Sequence, residues 1–210
     1  MKTVLCYGDS NTYGRHPETG GRHERAVRWT GRLQAMLGDD YLVVEEGLNG
    51  RTTIYDDPAE PWKNGLPYLM PCLASHRPVD AMTLMLGTND LKCCFHLTPE
   101  DIAGGVERLI REVKAFSESK NSPMPVILLM APILIAPDVV TAFPGDYDEA
   151  APARSACLAP LYKKLAEKYD LLYLNAADYA APSIHDSLHM DAEGHEALAA
   201  AILSKLTMRI

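Results

Sequence analysis

The sequence predicts an α/β protein, a three-layer α/β/α sandwich around a five-stranded parallel sheet with a flavodoxin-like architecture. Two observations carry this prediction. Short apolar runs alternate along the chain with helix-like stretches, and most runs are continuous rather than alternating in polarity, as in strands covered on both faces. The 210 residues show no repeat, low-complexity tract or linker. We therefore expect a single domain over residues 1–210.

Each element has its own signal in the sequence. The predicted strands are Thr3–Tyr7, Tyr41–Glu45, Ala81–Leu86, Val126–Met130 and Leu171–Leu174. The predicted helices are Thr30–Leu37, Leu66–Ser75, Pro99–Glu118, Tyr147–Tyr169 and Asp191–Met208. The third helix is the clearest, because Thr98 is a suitable N-cap, Pro99 suits the first helical position and Asp101 the third. The two prolines of the second helix predict an irregular element.

Composition excludes several classes of function. Hydrophobic residues make up 47% and charged residues 23%, as in ordinary soluble proteins. The net charge of −8 argues against a nucleic-acid partner and against attraction to an anionic membrane. The amino terminus lacks the apolar stretch of a signal peptide, and the five cysteines form no Cys-x-x-Cys pair. We expect a cytoplasmic protein with reduced thiols, the adjacent Cys93 and Cys94 lying on a loop rather than in a redox or metal site.

Two loops are longer than their connections require. Residues 52–66 include Trp62, and residues 132–145 form an apolar, proline-rich segment that includes Ile133. Such loops commonly form pocket walls or contacts between subunits, although simple loop-building is the alternative. We predict that Trp62 and Ile133 contact substrate.

Four polar segments follow the predicted strands: Gly8-Asp9-Ser10-Asn11, Gly47-Leu48-Asn49-Gly50, Gly87-Thr88-Asn89-Asp90 and, after a further loop, Asp186-Ser187-Leu188-His189. Ligands of open α/β sheets bind beyond the carboxyl ends of the strands. We therefore expect all four segments to meet at one edge of the sheet.

These segments contain the parts that acyl transfer needs. Ser10 is a candidate nucleophile, His189 a base for its hydroxyl, and Asp186 a carboxylate that orients the imidazole. The backbone N–H groups of Ser10 and Gly50 and the side-chain amide of Asn89 are candidate oxyanion donors. Asp9, which we expect to organise the nucleophile turn, has a supporting role. Taken singly, a serine in a Gly-Asp-Ser turn or an asparagine in a Gly-Thr-Asn turn is more often structural.

In their order along the chain, the four segments resemble the blocks of the SGNH (GDSL) hydrolases. Longer strings, among them Arg28-Trp29-Thr30-Gly31, Asp56-Asp57-Pro58 and Met85-Leu86-Gly87-Thr88-Asn89-Asp90, resemble the arylesterase/acyltransferase branch. The resemblance implies the SGNH hydrolase fold, a triad of Ser10, Asp186 and His189, and an oxyanion hole of Ser10, Gly50 and Asn89. It also implies a homo-oligomeric serine esterase that hydrolyses short-chain, acetyl-like esters through an acyl-enzyme and can transfer acyl groups to alcohols. At 13–16 the sequence departs from the branch, which often has a tryptophan there.

Other functions fit the sequence less well. No serine lies in the Gly-x-Ser-x-Gly elbow of α/β-hydrolases, and no phosphate-binding glycine loop is present. His185, His189 and His195 have the spacing of a zinc metalloprotease string, but Asp186 replaces its glutamate and Ala192 its glycine. We expect neither a metal nor a cofactor. Deacetylation of acetylated sugars and a non-catalytic binding module on the same scaffold remain alternatives.

Overall fold

A five-stranded sheet forms the centre of the protein in the computed structural model, which describes residues 1–210. Its strands are β1 (Lys2–Gly8), β2 (Tyr41–Gly47), β3 (Ala81–Met85), β4 (Val126–Ala131) and β5 (Leu172–Asn175). They run in the order β2-β1-β3-β4-β5, and every neighbouring pair is parallel. This is the flavodoxin-like order, in which the chain changes direction across the sheet between β1 and β3. The predicted fold class is confirmed.

Helices cover both faces of the sheet. They are α1 (Ser10–Tyr13), α2 (Trp29–Leu37), α3 (Gly65–Ser75), α4 (Pro99–Ser119), α5 (Val139–Ala142), α6 (Ala151–Ala156), α7 (Leu158–Tyr169) and α8 (Ala192–Leu206). Residues of β1 alternate between two cores: Leu5 and Tyr7 pack with α3, α4 and α7, whereas Val4 and Cys6 pack with α2 and α8. The alternation follows from the two-residue period of a strand. Because both faces of β1 are buried, its sequence is apolar from Val4 to Tyr7.

Two helices differ from their predictions, and a proline explains only the first difference. The predicted helix Tyr147–Tyr169 is two helices, α6 and α7, because the ring of Pro160 in a continuous helix would clash with the carbonyl of Ala156. The helix expected to be irregular, α3, is instead unbroken, with Pro71 inside it. Burial of its apolar side chains in the core, among them Leu69 and Leu73, outweighs the hydrogen bond that Pro71 cannot make.

The proline-rich segment 132–145 differs most from its predicted role. Ile133 is 3% exposed and packs in the core beside α2 and α8, while Ile135 and Val139 enter the opposite core. Ile133, Ile135 and Val139 therefore stabilise their own domain, whereas Phe143, from the same segment, lines the cavity that contains Ser10. The predicted substrate contact of Ile133 is wrong, since burial leaves it no free surface.

None of the helices combines the length and the apolar composition that a membrane crossing requires.

Candidate active site

The nucleophile turn lies where β1 ends. Asp9 is the N-cap of α1, and its Oδ1 accepts the backbone N–H of Asn11 at 3.0 Å. Ser10 is the first residue of this short helix and is 5% exposed. The turn packs closely on the end of β2, because a Cβ at Gly47 would stand 2.1 Å from the backbone nitrogen of Tyr13. Only glycine at position 47 lets the Ser10 turn sit at this edge of the sheet.

The Asp186–His189 loop brings a base to Ser10. His189 Nε2 lies 2.8 Å from Ser10 Oγ, and His189 Nδ1 lies 2.6 Å from Asp186 Oδ2. The other carboxylate oxygen of Asp186 accepts the backbone N–H groups of Leu188 and His189, at 3.0 and 2.9 Å. The two residues thus come from one short segment and hold a fixed geometry.

The ionised state of Asp186 determines which ring nitrogen of His189 carries the proton. Burial works to raise its pKa, but the hydrogen bond and charge of His189, with the backbone donors, lower that pKa below its usual range. An ionised carboxylate only accepts hydrogen bonds, so Nδ1 of His189 carries the proton. In the neutral ring, Nε2 then carries a lone pair that is directed at the hydroxyl of Ser10. A general base requires this arrangement.

Asn11 joins the nucleophile turn to the histidine loop, a role the sequence analysis did not assign. Its Nδ2 donates to the carbonyl of Leu188 at 3.2 Å, and its Oδ1 accepts the N–H of Met190 at 3.1 Å. The indole of Trp29 donates to the Asn11 carbonyl at 3.1 Å. These bonds hold the two segments on either side of His189 in register with Ser10. The signal was available, since Asn11 directly follows the serine in the first polar segment.

The three predicted oxyanion donors, Ser10, Gly50 and Asn89, line one cavity with His189. Gly50 adopts a φ of +78°, a left-handed conformation that favours glycine, and Asn89 Nδ2 donates one hydrogen to the carbonyl of Arg51 at 3.1 Å. The amide has a second N–H, which remains for a ligand. The structure therefore brings the predicted nucleophile, base and oxyanion donors together.

Arg51 and Thr53 hold the donor segments in place, and the sequence analysis had not singled them out for this role. The guanidinium of Arg51 lies over the ring of Tyr7 at 4.2 Å and donates to the Gly8 carbonyl at 2.9 Å. The N–H and hydroxyl of Thr53 both donate to the carboxylate of Asp90, which follows Asn89. One arginine thus connects the nucleophile strand to the carbonyl that fixes Asn89.

The other predicted substrate residue, Trp62, does not line this cavity. Its side chain is 65% exposed in a separate groove with Pro61, Pro67 and Tyr68. The prediction that Trp62 contacts substrate at Ser10 is therefore wrong within this chain. The loop does reach the cavity, but through the next residue, Lys63.

The three histidines with metalloprotease spacing do not converge. Both ring nitrogens of His189 are engaged by Asp186 and Ser10, and His185 is exposed. His195 is fully buried, accepts the backbone N–H of Trp29 at 3.3 Å, and has a pKa lowered to about 3 by burial and by neighbouring cationic groups. Its ring is a structural acceptor in the core.

A different group brings three metal-ligand types together. Donor atoms of Glu46, Cys72 and His76 lie within 4.8 Å of one another, with Glu46 Oε1 and His76 Nε2 at 2.9 Å. Burial raises the pKa of the Cys72 thiol to about 12, so at neutral pH the group holds a protonated thiol beside a hydrogen-bonded Glu–His pair. None of its three members lines the cavity at Ser10.

Comparison with known proteins identifies the family. The model of the GDSL-like lipase/acylhydrolase family matches residues 6–197. The chain belongs to this family. Among solved structures, this GDSL hydrolase is 38% identical to Est24, a carbohydrate acetylesterase from Sinorhizobium meliloti, with a TM-score of 0.94. It is 35% identical to the aryl esterase of M. smegmatis, with a TM-score of 0.91. Both matches cover 100% of each chain. No protein of curated function matches the sequence. The predicted family and its carboxylic-ester hydrolase class are confirmed.

We expect Asp9→Asn to change how stability depends on pH. Burial, reinforced by the nearby Asp90, raises the pKa of Asp9 from 3.8 to about 7. Its stabilising contribution is therefore complete below 3.8 and is lost as the pH rises through about 7, because the unfolded chain ionises first. Asparagine keeps the oxygen that caps α1 and cannot ionise. As the pH rises through this range, the free energy of unfolding of the variant, measured in urea, should increase relative to that of the wild type. The expected change is on the order of a few kcal/mol.

Asp90, whose pKa burial raises to about 6, is present in both proteins, so only its interaction with Asp9 enters this comparison. Parallel stability curves for the wild type and Asp9→Asn would show that Asp9 is not the group that titrates.

Proposed function

We propose that this enzyme is a serine esterase that removes acetyl-sized acyl groups from esters of polar alcohols, such as acetylated sugars. The observation that carries the proposal is the lining of the cavity at Ser10. Only three of its twelve lining residues are hydrophobic. An apolar aryl group would leave the polar side chains of this wall without partners, whereas the hydroxyl groups of a sugar satisfy them.

The size of the cavity supports a short acyl group. Its volume is about 160 Å³, below the roughly 300–1,000 Å³ of pockets for drug-sized ligands. Phe143 lies edge-on to His189, with ring centroids 6.0 Å apart, and the buried Tyr147 packs against it. We assign the acyl group to the side closed by these two rings.

The geometry supports a two-step reaction. Ser10 Oγ attacks the ester carbonyl while its proton passes to His189 Nε2, and Asp186 stabilises the imidazolium. The N–H groups of Ser10, Gly50 and Asn89 receive the negative charge that develops on the carbonyl oxygen. As the tetrahedral intermediate collapses, His189 returns the proton to the departing alcohol. A water that His189 deprotonates then releases the acyl group from Ser10.

Acyl transfer to alcohols has less support than hydrolysis. Such transfer would be favoured by an apolar channel, formed by Ile133, its neighbours and Trp62, that makes bulk water a poor competitor. Ile133 is buried in the core and Trp62 lies in a separate groove, so the cavity at Ser10 stays polar. Homo-oligomeric assembly remains a prediction from the family resemblance alone.

The similar structures favour ester hydrolysis and suggest two classes of alcohol in the substrate, a carbohydrate or a phenol. Est24 is described as a carbohydrate acetylesterase and the M. smegmatis protein as an aryl esterase. The polar wall favours the carbohydrate ester as the natural substrate. A non-catalytic binding module is disfavoured, because a binding site has no need for the hydrogen-bonded chain from Asp186 through His189 to Ser10.

The acyl-length preference tests the proposal. Acetyl, butyryl and octanoyl esters of one sugar and of one chromogenic phenol form two matched series. In both, kcat/KM should fall about tenfold or more from acetyl to octanoyl, because Phe143 and Tyr147 leave no room without overpacking. The kcat/KM for the acetyl sugar should exceed that for the acetyl phenol, once each value is divided by the rate of uncatalysed hydrolysis of the same ester. Ser10→Ala provides the background, and turnover of acetyl esters at the wild-type rate in that variant would contradict the proposal.

Asn89→Ala should reduce kcat by roughly 10²–10³-fold, or about 3–4 kcal/mol, with little change in KM. The amide of Asn89 binds a charge that exists only in the transition state. Asn89→Asp is the matched control, because it keeps the size of the side chain and removes the N–H donor; it should lose at least as much activity. A defect confined to KM would mean that Asn89 positions the substrate instead.

A further inference from the structure

Three cationic side chains line the cavity at Ser10, in a protein whose net charge is −8. Each belongs to the surroundings of one oxyanion donor. Arg15 follows α1, which begins at Ser10; Lys92 follows the turn that begins at Asn89; and Lys63 reaches the cavity across Gly50. This positive lining is not needed to hydrolyse a neutral ester.

The two lysines are held within the wall rather than extended into solvent. Their side chains are 16% exposed for Lys63 and 15% for Lys92, whereas those of their ion-pair partners Glu60 and Asp146 are 41% and 48% exposed. The two lysine side chains are thus less exposed than the carboxylates they pair with. A charge fixed in a partly desolvated wall acts on a ligand more strongly than one on a freely solvated side chain.

Lys63 lies beside one of the oxyanion donors. A Cβ at Gly50 would stand 2.8 Å from its Cδ, Cε and Nζ atoms, so its side chain lies directly against the segment that provides an oxyanion donor. Lys92 pairs with Asp146, a residue of the same cavity, at 3.1 Å, which leaves that part of the wall nearly neutral.

Arg15 has no carboxylate partner. None of the ion pairs of the structure includes its guanidinium, although it lines the same cavity as Lys63. Arginine binds carboxylate and phosphate oxygens through paired N–H groups, and an arginine without a partner in a ligand cavity suits an anionic ligand.

From this lining we infer that the alcohol part of the natural ester carries an anionic group, a carboxylate or a phosphate, which Arg15 and Lys63 bind. The inference rests on the proposed function and narrows its substrate class to acetyl esters of acidic alcohols, such as a uronic acid or a phosphorylated sugar. The charge belongs on the alcohol, because Phe143 and Tyr147 close the acyl side with aromatic rings.

The test compares acetyl esters of glucose, glucuronic acid and glucose phosphate. The wild-type enzyme should prefer at least one anionic ester over the neutral one by about tenfold or more in kcat/KM, the effect expected of a charge-assisted hydrogen bond. Comparison of the two anionic esters distinguishes a carboxylate from a phosphate. Lys63→Met and Arg15→Gln should each bring the anionic-to-neutral ratio towards one, and added salt should lower it in the wild type.

Lys114→Met is the matched control. Lys114 is exposed on α4, forms no ion pair and lies outside the cavity, yet its loss changes the net charge by the same amount. The ratio should stay at its wild-type value. A wild-type ratio near one would overturn the inference, and so would a ratio that survives both cavity variants. Equal losses on the neutral and anionic esters would also overturn it, since they would mean that the cations stabilise the oxyanion of any ester.

Binding to Ser10→Ala separates this inference from the proposed function. The variant keeps Arg15 and Lys63, so calorimetry should show tighter binding of the acetylated glucuronate or glucose phosphate than of acetylated glucose. If the wild type turned over none of these esters, the proposed function would fail, while this difference in binding would still support the anion site. Equal affinities would overturn the anion site whether or not the enzyme hydrolyses esters.

Discussion

The hydrogen bond between Ser10 and His189 is the contact on which the active site depends. It joins residues 179 positions apart, at 2.8 Å, and so requires both ends of the chain to meet at one edge of the sheet. The interior position of β1, between β2 and β3, makes this possible, because Ser10 lies where β1 ends and the loop after β5 folds back to it. Asn11 then fixes the register through bonds to Leu188 and Met190. A loop alone would not hold His189 to within a few tenths of an ångström.

Three aspartates near this contact differ in pKa because their surroundings differ. Asp186 faces an imidazole and two backbone N–H groups, and its pKa is held below its usual range. Asp9 and Asp90 are fully enclosed, and burial raises their pKa values to about 7 and about 6. Asp186 is therefore a stable anion that orients a base. Asp9, which caps α1, and Asp90, which accepts hydrogen bonds from Thr53, instead have pKa values close to neutral pH. Sequence position alone does not separate these roles, since all three carboxylates lie in polar segments at the same sheet edge.

The parts of the structure that depend on local pattern were accessible from the sequence. Continuous apolar runs identified the five strands, and the polar segments after them located the nucleophile, base and oxyanion donors at one edge. The two long loops predicted to form pocket walls reach the cavity through Lys63 and Phe143. Which side chains line it was not accessible, because that depends on which way a loop turns. Ile133 and Trp62 lie in loops of similar apolar character, yet one side chain is buried in the core and the other is 65% exposed in a separate groove. Likewise, the cationic wall draws on Arg15, Lys63 and Lys92 from three separate loops, and only the fold brings them together.

Covalent labelling with a serine-directed organophosphonate detects the activated nucleophile directly, without assuming a substrate. We expect one adduct per chain, located on Ser10 by peptide mass spectrometry, with loss of esterase activity in proportion to labelling. In His189→Ala, which keeps the serine but removes its base, labelling should be slowed by orders of magnitude. An adduct on another serine that accompanies the loss of activity, or labelling of Ser10 at the same rate without His189, would show that Ser10 is not a nucleophile activated by His189.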